Sequence, residues 1–182
     1  RTFGNIMGHV KDISNLSSLT TWVQNQFDTR LNWDDIKRIK DWWGGKIILK
    51  GIMDPEDAKL AENNGADAIV VSNHGGRQLD GANSSISMLP EIKKNVSKAE
   101  IFFDGGIRSG QDILKAIALG ADGVLIGRSF VYGLSVDGKN GVKKSLEILN
   151  KELDMTMALC GKRDINMVGR DIIKDCPFFE KN

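Results

Sequence analysis

The residue types best suited to acid–base chemistry lie together directly after one apolar run. Residues 69–71 are all β-branched, and they are followed by His74 and, three residues later, by Arg77. An imidazole is the side chain most easily poised to accept a proton near neutral pH. A guanidinium is a planar fork that fits a carboxylate. The spacing predicts a proton acceptor and an anion clamp for an acidic small-molecule substrate; a capped turn with a surface arginine is the alternative interpretation.

Two later loops combine glycine with arginine and predict a phosphate site. Their residues are Asp104, Gly105, Gly106 and Arg108 in the first loop, and Gly127 and Arg128 in the second. Glycine lets the backbone approach a ligand closely, and the N–H groups and the helix N-terminus that follow the first loop favour an anion. Any tight strand–helix turn also favours glycine, but a barrel commonly binds phosphate with its last two strand-end loops. Neither loop has the G-x-G-x-x-G spacing of a dinucleotide site.

Lys50 ends an earlier apolar run, so it is expected at the same edge of the sheet as the groups above. Lys50, His74, Arg77, Arg108 and Arg128 would then surround one opening. A lysine at a strand end is often only solvated. Five cationic or protonatable groups would repel one another unless an anion with several negative centres lay between them.

Short apolar runs that alternate with helical patterns must position these residues. Strands are expected at 46–51, 69–71, 101–103 and 123–126, and helices at 33–43, 55–64, 84–96 (interrupted or entered at Pro90), 111–119 and 142–159. Asn32 and Asp54 are the expected N-caps of the first two helices, and Pro55 suits the first helical position. Right-handed crossovers between parallel strands build either an open doubly wound sheet or a closed barrel.

An internal repeat supports a duplicated strand–helix architecture. Residues 64–71 and 119–126 each place a helix-ending Gly-Ala-Asp before a buried strand. We count four strand–helix units, whereas a closed barrel needs eight, and half a barrel would expose strand edges at both ends. The sequence therefore predicts an incomplete barrel, the C-terminal half of a longer protein.

Residues 1–30 differ from the rest of the chain. Leu16, Leu19, Val23 and Phe27 recur at helical spacing, which predicts a short amphipathic helix capped by Asn15 or Ser17. Packing of this helix on the same protein is the main expectation. Contact with a membrane surface is the minor one, because the helix carries little positive charge.

Composition excludes several classes of function. The 182 residues carry a net charge of +1, which gives no electrostatic case for nucleic acid. No apolar run approaches the roughly 20 residues that a membrane-spanning helix needs. Cys160 and Cys176 form neither a C-x-x-C motif nor a disulfide framework, so a reducing, cytoplasmic location is expected.

Residues 72–80, Ser-Asn-His-Gly-Gly-Arg-Gln-Leu-Asp, resemble the active-site signature of the FMN-dependent 2-hydroxy acid oxidoreductases, which include glycolate oxidase and lactate and mandelate dehydrogenases. Motifs at 49–52, 104–108 and 126–128 match in the same order, and 27–42 with 50–58 is most similar to the lactate/mandelate dehydrogenase branch. The resemblance implies an α/β fold, the C-terminal half of a TIM (β/α)8 barrel. Residues 1–30 would be the variable segment after barrel strand 4, and 31–182 would hold strands 5–8, their helices and the C-terminal helix.

The resemblance implies oxidation of an L-2-hydroxy acid, lactate-like or mandelate-like, to the 2-keto acid. His74 would take the proton, Arg77 would hold the carboxylate, and Lys50 would stabilise the negative charge that grows on FMN. Ser72 would contact the flavin and Asp104 would bind its ribityl chain. The phosphate would be held by Gly105, Gly106, Arg108, Gly127 and Arg128.

The resemblance also implies partners for this chain. The N-terminal half of the same barrel would supply a tyrosine and an arginine for the substrate and an aspartate that orients His74. A homotetramer and a peripheral contact with the inner face of the membrane are further implications. Two alternatives stay open: another FMN- or phosphate-binding barrel enzyme, and a non-catalytic half-barrel.

Overall fold

Four parallel strands alternate with helices in the computed structural model, which describes residues 16–174. The helices are α1 (Leu16–Gln26), α2 (Trp33–Trp43), α3 (Pro55–Asn63), α4 (Ser85–Asn95), α5 (Gly110–Ala118) and α6 (Arg128–Leu159). The strands are β1 (Ile48–Ile52), β2 (Ala68–Val71), β3 (Glu100–Asp104) and β4 (Gly123–Leu125). Short 3-10 turns lie at His74–Gly76, Ile165–Met167 and Arg170–Ile172. The four predicted strand–helix units are confirmed.

The strands lie in the order β1-β2-β3-β4, and each pairs in parallel with the next. A doubly wound sheet reverses its strand order at a switch point. The sequential order found here is that of a barrel wall, so the doubly wound alternative is wrong. The carboxyl ends of all four strands consequently meet at one edge of the sheet.

The core lies between the sheet and the helices that follow its strands. Ile69 and Val71 of β2 and Ile101 and Phe103 of β3 are at most 1% exposed. They belong to one apolar cluster with Ala58, Ala61, Ala66, Leu89, Ile92, Val96, Ala99, Ile107, Ala116 and Ala121. Burying a large side chain of this kind contributes about 1.5–3 kcal/mol. The opposite face is open at its β1 edge, where Ile48 is 55% exposed.

The helix starts follow the capping chemistry of the sequence. The Asn32 side chain accepts the N–H of Asp34, and Asp35 completes a capping box at the start of α2. Asp54 accepts the N–H groups of Glu56 and Asp57 at the start of α3. Both predicted N-caps are confirmed, and removing such a cap typically costs about 1 kcal/mol. The predicted helix α1 is also confirmed; Ser17 lies inside it, and Asn15 lies outside the described residues.

Two helices differ from the prediction. Pro90 neither interrupts nor starts α4 but lies inside it, where the buried Leu89 and Ile92 offset the one hydrogen bond that proline cannot make. α6 contains two helices joined at Asp137 and Gly138, whose backbone angles are not helical. The second of them covers the predicted helix at 142–159, whereas the first, which begins at Arg128, was not predicted. The first part of α6 was missed because its apolar residues, such as Val131 at 44% exposed, lack a buried stripe.

Within residues 16–174 no helix combines the length and the apolar character that crossing a bilayer requires.

Candidate functional site at the carboxyl edge of the sheet

Three polar side chains from three different strands or strand ends meet at the carboxyl edge of the sheet. The Lys50 Nζ donates to Ser72 Oγ and to Asp104 Oδ2, both at 3.0 Å. The Ser72 hydroxyl donates to the same Asp104 oxygen at 2.6 Å. Ser72 is 2% exposed, which is unusual for a polar residue. We call Lys50, Ser72 and Asp104 the strand-end triad.

The register of the sheet explains why the triad forms. Lys50 pairs with Val70 of β2, and Val70 pairs with Phe102 of β3, so these three residues lie in one row across the sheet. Ser72 and Asp104 each follow the row by two residues, and period-2 alternation directs them to the same face. The flexible four-carbon stem of Lys50 spans the remaining distance.

The triad keeps the Asp104 carboxylate ionised. Burial by itself raises the pKa of this carboxyl, but the Ser72 hydroxyl and the Lys50 ammonium stabilise the charged form more strongly, and a charge on His74 acts in the same direction. The net result is a pKa below the usual range of an aspartate. A negative charge therefore stays beside Lys50 at neutral pH.

The loop after β2 brings His74 to the triad. Its backbone N–H donates to Ser72 Oγ at 3.2 Å. His74 has φ 57°, a left-handed conformation that a side chain with a Cβ rarely adopts. Asn73 ties the two ends of this loop together, because its Nδ2 donates to the carbonyl oxygen of Asn83 at 3.1 Å. Such backbone strain is common at functional sites, where the surrounding structure holds it in place.

Sequence reasoning missed the short 3-10 turn at His74–Gly76 and the role of Asn73 in closing the loop. The signal was present, since asparagine readily makes side-chain bonds in turns and two glycines follow His74. The acceptor of the Asn73 amide could not be predicted, because it depends on the path that the loop takes back to α4.

The N-terminus of α5 is occupied by the protein's own acidic side chains, contrary to the expectation that it would favour a bound anion. The N–H groups of Arg108 and Ser109 both donate to Asp112 Oδ2 at 3.0 Å. The N–H of Gly110 donates to Glu152 Oε2 of α6 at 2.9 Å. Two carboxylates thus take up the donors and the positive end of the helix dipole.

The N-terminus of α6 is different, because no side chain among residues 16–174 caps it. The first N–H groups of a helix have no partner within the helix, so this end can donate to an anion. The Ser129 hydroxyl donates to the carbonyl of Ile107 at 2.8 Å and so holds the two glycine-containing loops together. A Cβ built on Gly106 or Gly127 would meet no atom within 4 Å, which leaves open space beside both loops.

The predicted arginines stand at the right edge but not in the triad. Arg77, Arg108 and Arg128 all follow carboxyl ends of strands and are exposed. None of them forms an ion pair with another of the described residues. The structure therefore joins Lys50, Ser72 and Asp104 through their side chains and His74 through its backbone N–H. The three guanidinium groups lie at the same edge without an ion pair to residues 16–174.

This set of groups fits a flavin mononucleotide. The uncapped end of α6, with Arg108 and Arg128 in the two loops that Ser129 joins, suits a dianionic phosphate. Asp104 Oδ1 makes no hydrogen bond with residues 16–174 and can accept one from a ligand hydroxyl. Lys50 offers a positive charge to an electron-rich ring edge.

Comparison with known proteins gives several similar sequences. The chain is 45% identical to an L-lactate dehydrogenase of Caulobacter sp. (strain K31) over 173 residues, which are 94% of this chain and 46% of that protein. It is 47% identical to an L-lactate dehydrogenase of Allorhizobium ampelinum over 169 residues, 92% of this chain and 45% of that protein. The chain thus spans less than half the length of these relatives.

Two solved structures extend the comparison. The monotopic membrane protein (S)-mandelate dehydrogenase is similar with a TM-score of 0.84 and 36% identity, over 92% of this chain and 44% of that one. A mandelate oxidase with (S)-2-phenylpropionate is similar with a TM-score of 0.74 and 45% identity, over 76% and 42%. The four-stranded wall is accordingly part of a TIM barrel, as predicted.

The sequence pattern of the FMN-dependent dehydrogenases matches residues 4–175, nearly the whole chain. Together with the strand-end triad and the uncapped end of α6, this match shows that the chain belongs to the FMN-dependent dehydrogenase family.

Proposed function

We propose that this chain is the C-terminal half of a longer enzyme that oxidises an L-2-hydroxy acid, lactate-like or mandelate-like, to the 2-keto acid with FMN. The observation that carries the proposal is the contact of Lys50, Ser72 and Asp104 beside His74. The names of the similar proteins, L-lactate dehydrogenase and mandelate dehydrogenase or oxidase, support the substrate class.

The residues of this chain divide the work between them. Arg77 binds the substrate carboxylate through its planar fork. The imidazole of His74 then accepts a proton from the bound hydroxy acid as it is oxidised. Lys50 stabilises negative charge at the edge of the cofactor, because its ammonium is already held in place by two hydrogen bonds. FMN, when bound, accepts the two electrons of the reaction.

Cofactor binding falls to the later strand ends. The backbone of Gly105, Gly106 and Gly127 gives close access to the phosphate, and Arg108 and Arg128 neutralise it. Asp104 would accept a hydrogen bond from a ribityl hydroxyl through Oδ1, and Ser72 would contact the flavin. The N-terminal half of the barrel covers the open face of the sheet and completes the site. A homotetramer, implied by the resemblance, stays a prediction.

The proposal is tested on the full-length protein by its visible spectrum. A flavin spectrum that L-2-hydroxy acids bleach without oxygen supports it, and turnover of a panel of such acids with dye and with oxygen identifies substrate and acceptor. A flavin that no hydroxy acid bleaches favours another flavin barrel, and no bound flavin favours a non-catalytic half-barrel.

Arg77→Lys should raise KM for the hydroxy acid, because a point charge cannot replace the planar fork of the guanidinium. Arg163→Lys, at an exposed arginine after α6, is the matched control and should leave KM unchanged.

We further propose a peripheral membrane contact through α1. The helix carries no charged residue. Val23 within it is 39% exposed, and Phe27, directly after its last residue, is 71% exposed. The match to the monotopic (S)-mandelate dehydrogenase covers 92% of the chain, against 76% for the mandelate oxidase. Because α1 lacks basic residues, binding should depend on apolar insertion rather than on anionic lipid.

Vesicle flotation of the full-length protein tests this contact. Val23→Asp and Phe27→Asp should reduce the fraction bound to neutral phosphatidylcholine vesicles, whereas Gln24→Asp, a charge on another exposed residue of α1, should not. Equal losses in all three variants, or no binding by the wild type, would contradict the proposal.

A further inference from the structure

Asp104 uses one carboxylate oxygen for the protein and leaves the other free. Oδ2 accepts both from the Ser72 hydroxyl at 2.6 Å and from the Lys50 ammonium at 3.0 Å. Oδ1 makes no hydrogen bond with residues 16–174, and the side chain is 23% exposed. Ligand binding through Oδ1 therefore does not require the contact between Asp104 and Lys50 to break.

Ser72 fixes this arrangement from the buried side. Its hydroxyl proton is committed to Asp104, while its lone pairs accept from Lys50 and from the His74 N–H. A buried hydroxyl with all its partners in place cannot rotate without losing hydrogen bonds, each worth about 1 kcal/mol or more. The carboxylate oxygen that faces Lys50 is consequently held in one orientation.

We propose that Asp104 is a positioning residue for Lys50: its Oδ2, oriented by the Ser72 hydroxyl, fixes the ammonium at the carboxyl edge of the sheet and offsets part of its charge. The inference rests on the proposed function, in which Lys50 faces FMN. It adds a second task to Asp104 beyond the contact with the ribityl chain.

The physical consequence concerns the electron affinity of the cofactor. An ammonium with a carboxylate 3.0 Å away presents a weaker positive potential to its surroundings than an ammonium alone. Negative charge on reduced FMN is stabilised by that positive potential. Asp104 therefore lowers the midpoint potential of bound FMN, and this effect depends on Lys50, because the ammonium helps to keep the partly buried carboxylate charged.

A double-mutant cycle on the full-length holoenzyme separates this action from direct contact with FMN. The variants are Asp104→Asn, Lys50→Met and the double substitution, with Asp41→Asn on the exposed side of α2 as the control. The measurement is the midpoint potential of FMN by equilibration with redox dyes. Asp104→Asn should raise the potential, and the rise should fall to less than half in the Lys50→Met background. Equal rises in both backgrounds, or no rise, would overturn the proposal.

A second measurement does not need FMN. Acetic anhydride acylates lysine amines, and an ammonium held by a carboxylate reacts slowly. In the full-length protein, Asp104→Asn should speed the acetylation of Lys50 about threefold or more relative to exposed Lys144, as read by peptide mass spectrometry. If Asp104→Asn does not fold, Ser72→Ala must give the same acceleration, because it frees the carboxylate. Unchanged labelling of Lys50 overturns the proposal, whereas a protein without flavin or turnover overturns only the proposed function.

Discussion

Two consecutive strand–helix–strand modules, residues 47–72 and 101–127, are built alike at the amino ends of their strands. In the first, Asp67 Oδ2 accepts the N–H of Ile47 at 2.9 Å; in the second, Asp122 Oδ2 accepts the N–H of Ile101 at 2.8 Å. Each aspartate also donates its own N–H back to the carbonyl of that isoleucine. The Gly-Ala-Asp repeat thus fastens the start of one strand to the start of the next.

The carboxyl ends of the same modules differ. Lys50 stands three residues after Ile47, and Asp104 stands three residues after Ile101, so equivalent positions carry opposite charges and bond to each other. Ser72 similarly corresponds to Gly127. One module thereby presents groups suited to proton transfer and charge stabilisation, and the other presents the loop that we propose to bind phosphate.

The two ends of each strand are therefore under different structural constraints. At the amino end, both modules need the same hydrogen bonds to set the register. At the carboxyl end, loops can vary without disturbing the sheet, which is why barrel enzymes place their chemistry there.

The largest effect is expected at equivalent loop positions His74 and Ser129. His74→Ala should slow reduction of FMN by the hydroxy acid about 10²–10⁴-fold, because the proton acceptor is lost, while FMN stays bound. Ser129→Ala removes only the hydrogen bond to Ile107 and should leave the reduction rate within about threefold. Stopped-flow absorbance without oxygen measures both rates. A similar loss of reduction rate in both variants would mean that proton transfer is not confined to the loop that carries His74.

A smaller effect is expected at Gly51, which precedes the partly buried Ile52, and at Gly106, which precedes the core residue Ile107. Their φ angles are 98° and 77°, so alanine at either position should cost about 1–2 kcal/mol in the free energy of unfolding. Gly106→Ala should also weaken FMN binding about tenfold, because its Cβ projects beside the phosphate loop, whereas Gly51→Ala should do so less. Urea unfolding and fluorescence titration of the apoprotein with FMN give the two quantities. Equal losses of FMN affinity would remove the distinction between the modules.

The smallest effect is expected at the amino ends. Asp67 pairs with Lys40 and Lys46 and accepts the Ile47 N–H, which together hold its pKa well below the usual range. Asp122 faces one lysine, Lys93, at 3.8 Å. Asp67→Asn should therefore lower Tm more than Asp122→Asn, and neither should change FMN binding.

The difference in stability between the wild type and Asp67→Asn should shrink as the pH falls. Because the folded state depresses the pKa of Asp67, the stabilisation is complete above about pH 5 and declines as pH falls below about 4. Urea midpoints of the wild type and Asp67→Asn should therefore converge only in strong acid. Convergence at neutral pH, or divergence on acidification, would show that the carboxylate charge at Asp67 does not stabilise the fold.

Local features were predictable because they depend on neighbours in the chain. The caps at Asn32 and Asp54, the buried strand at 69–71 and the repeat at 64–71 and 119–126 all follow from short-range patterns. The resemblance at 72–80 led to the family. In contrast, the α5 N-terminus was misread as an anion site, because Glu152, one of the carboxylates that fill it, lies 42 residues away in the chain.

Periodicity, capping and side-chain type are local properties. The amino-acid sequence was therefore enough to predict the four strand–helix units, their polar strand ends and the kinds of chemistry that those ends can perform. In contrast, the contact between Lys50 and Asp104, which lie 54 residues apart in the chain and both bond to Ser72, is visible only in the folded protein. That contact depends on strand order and register, which arise when the whole sheet packs against its helices. The folded protein likewise shows that the N-terminus of α6, and not that of α5, lacks a side-chain cap among the described residues.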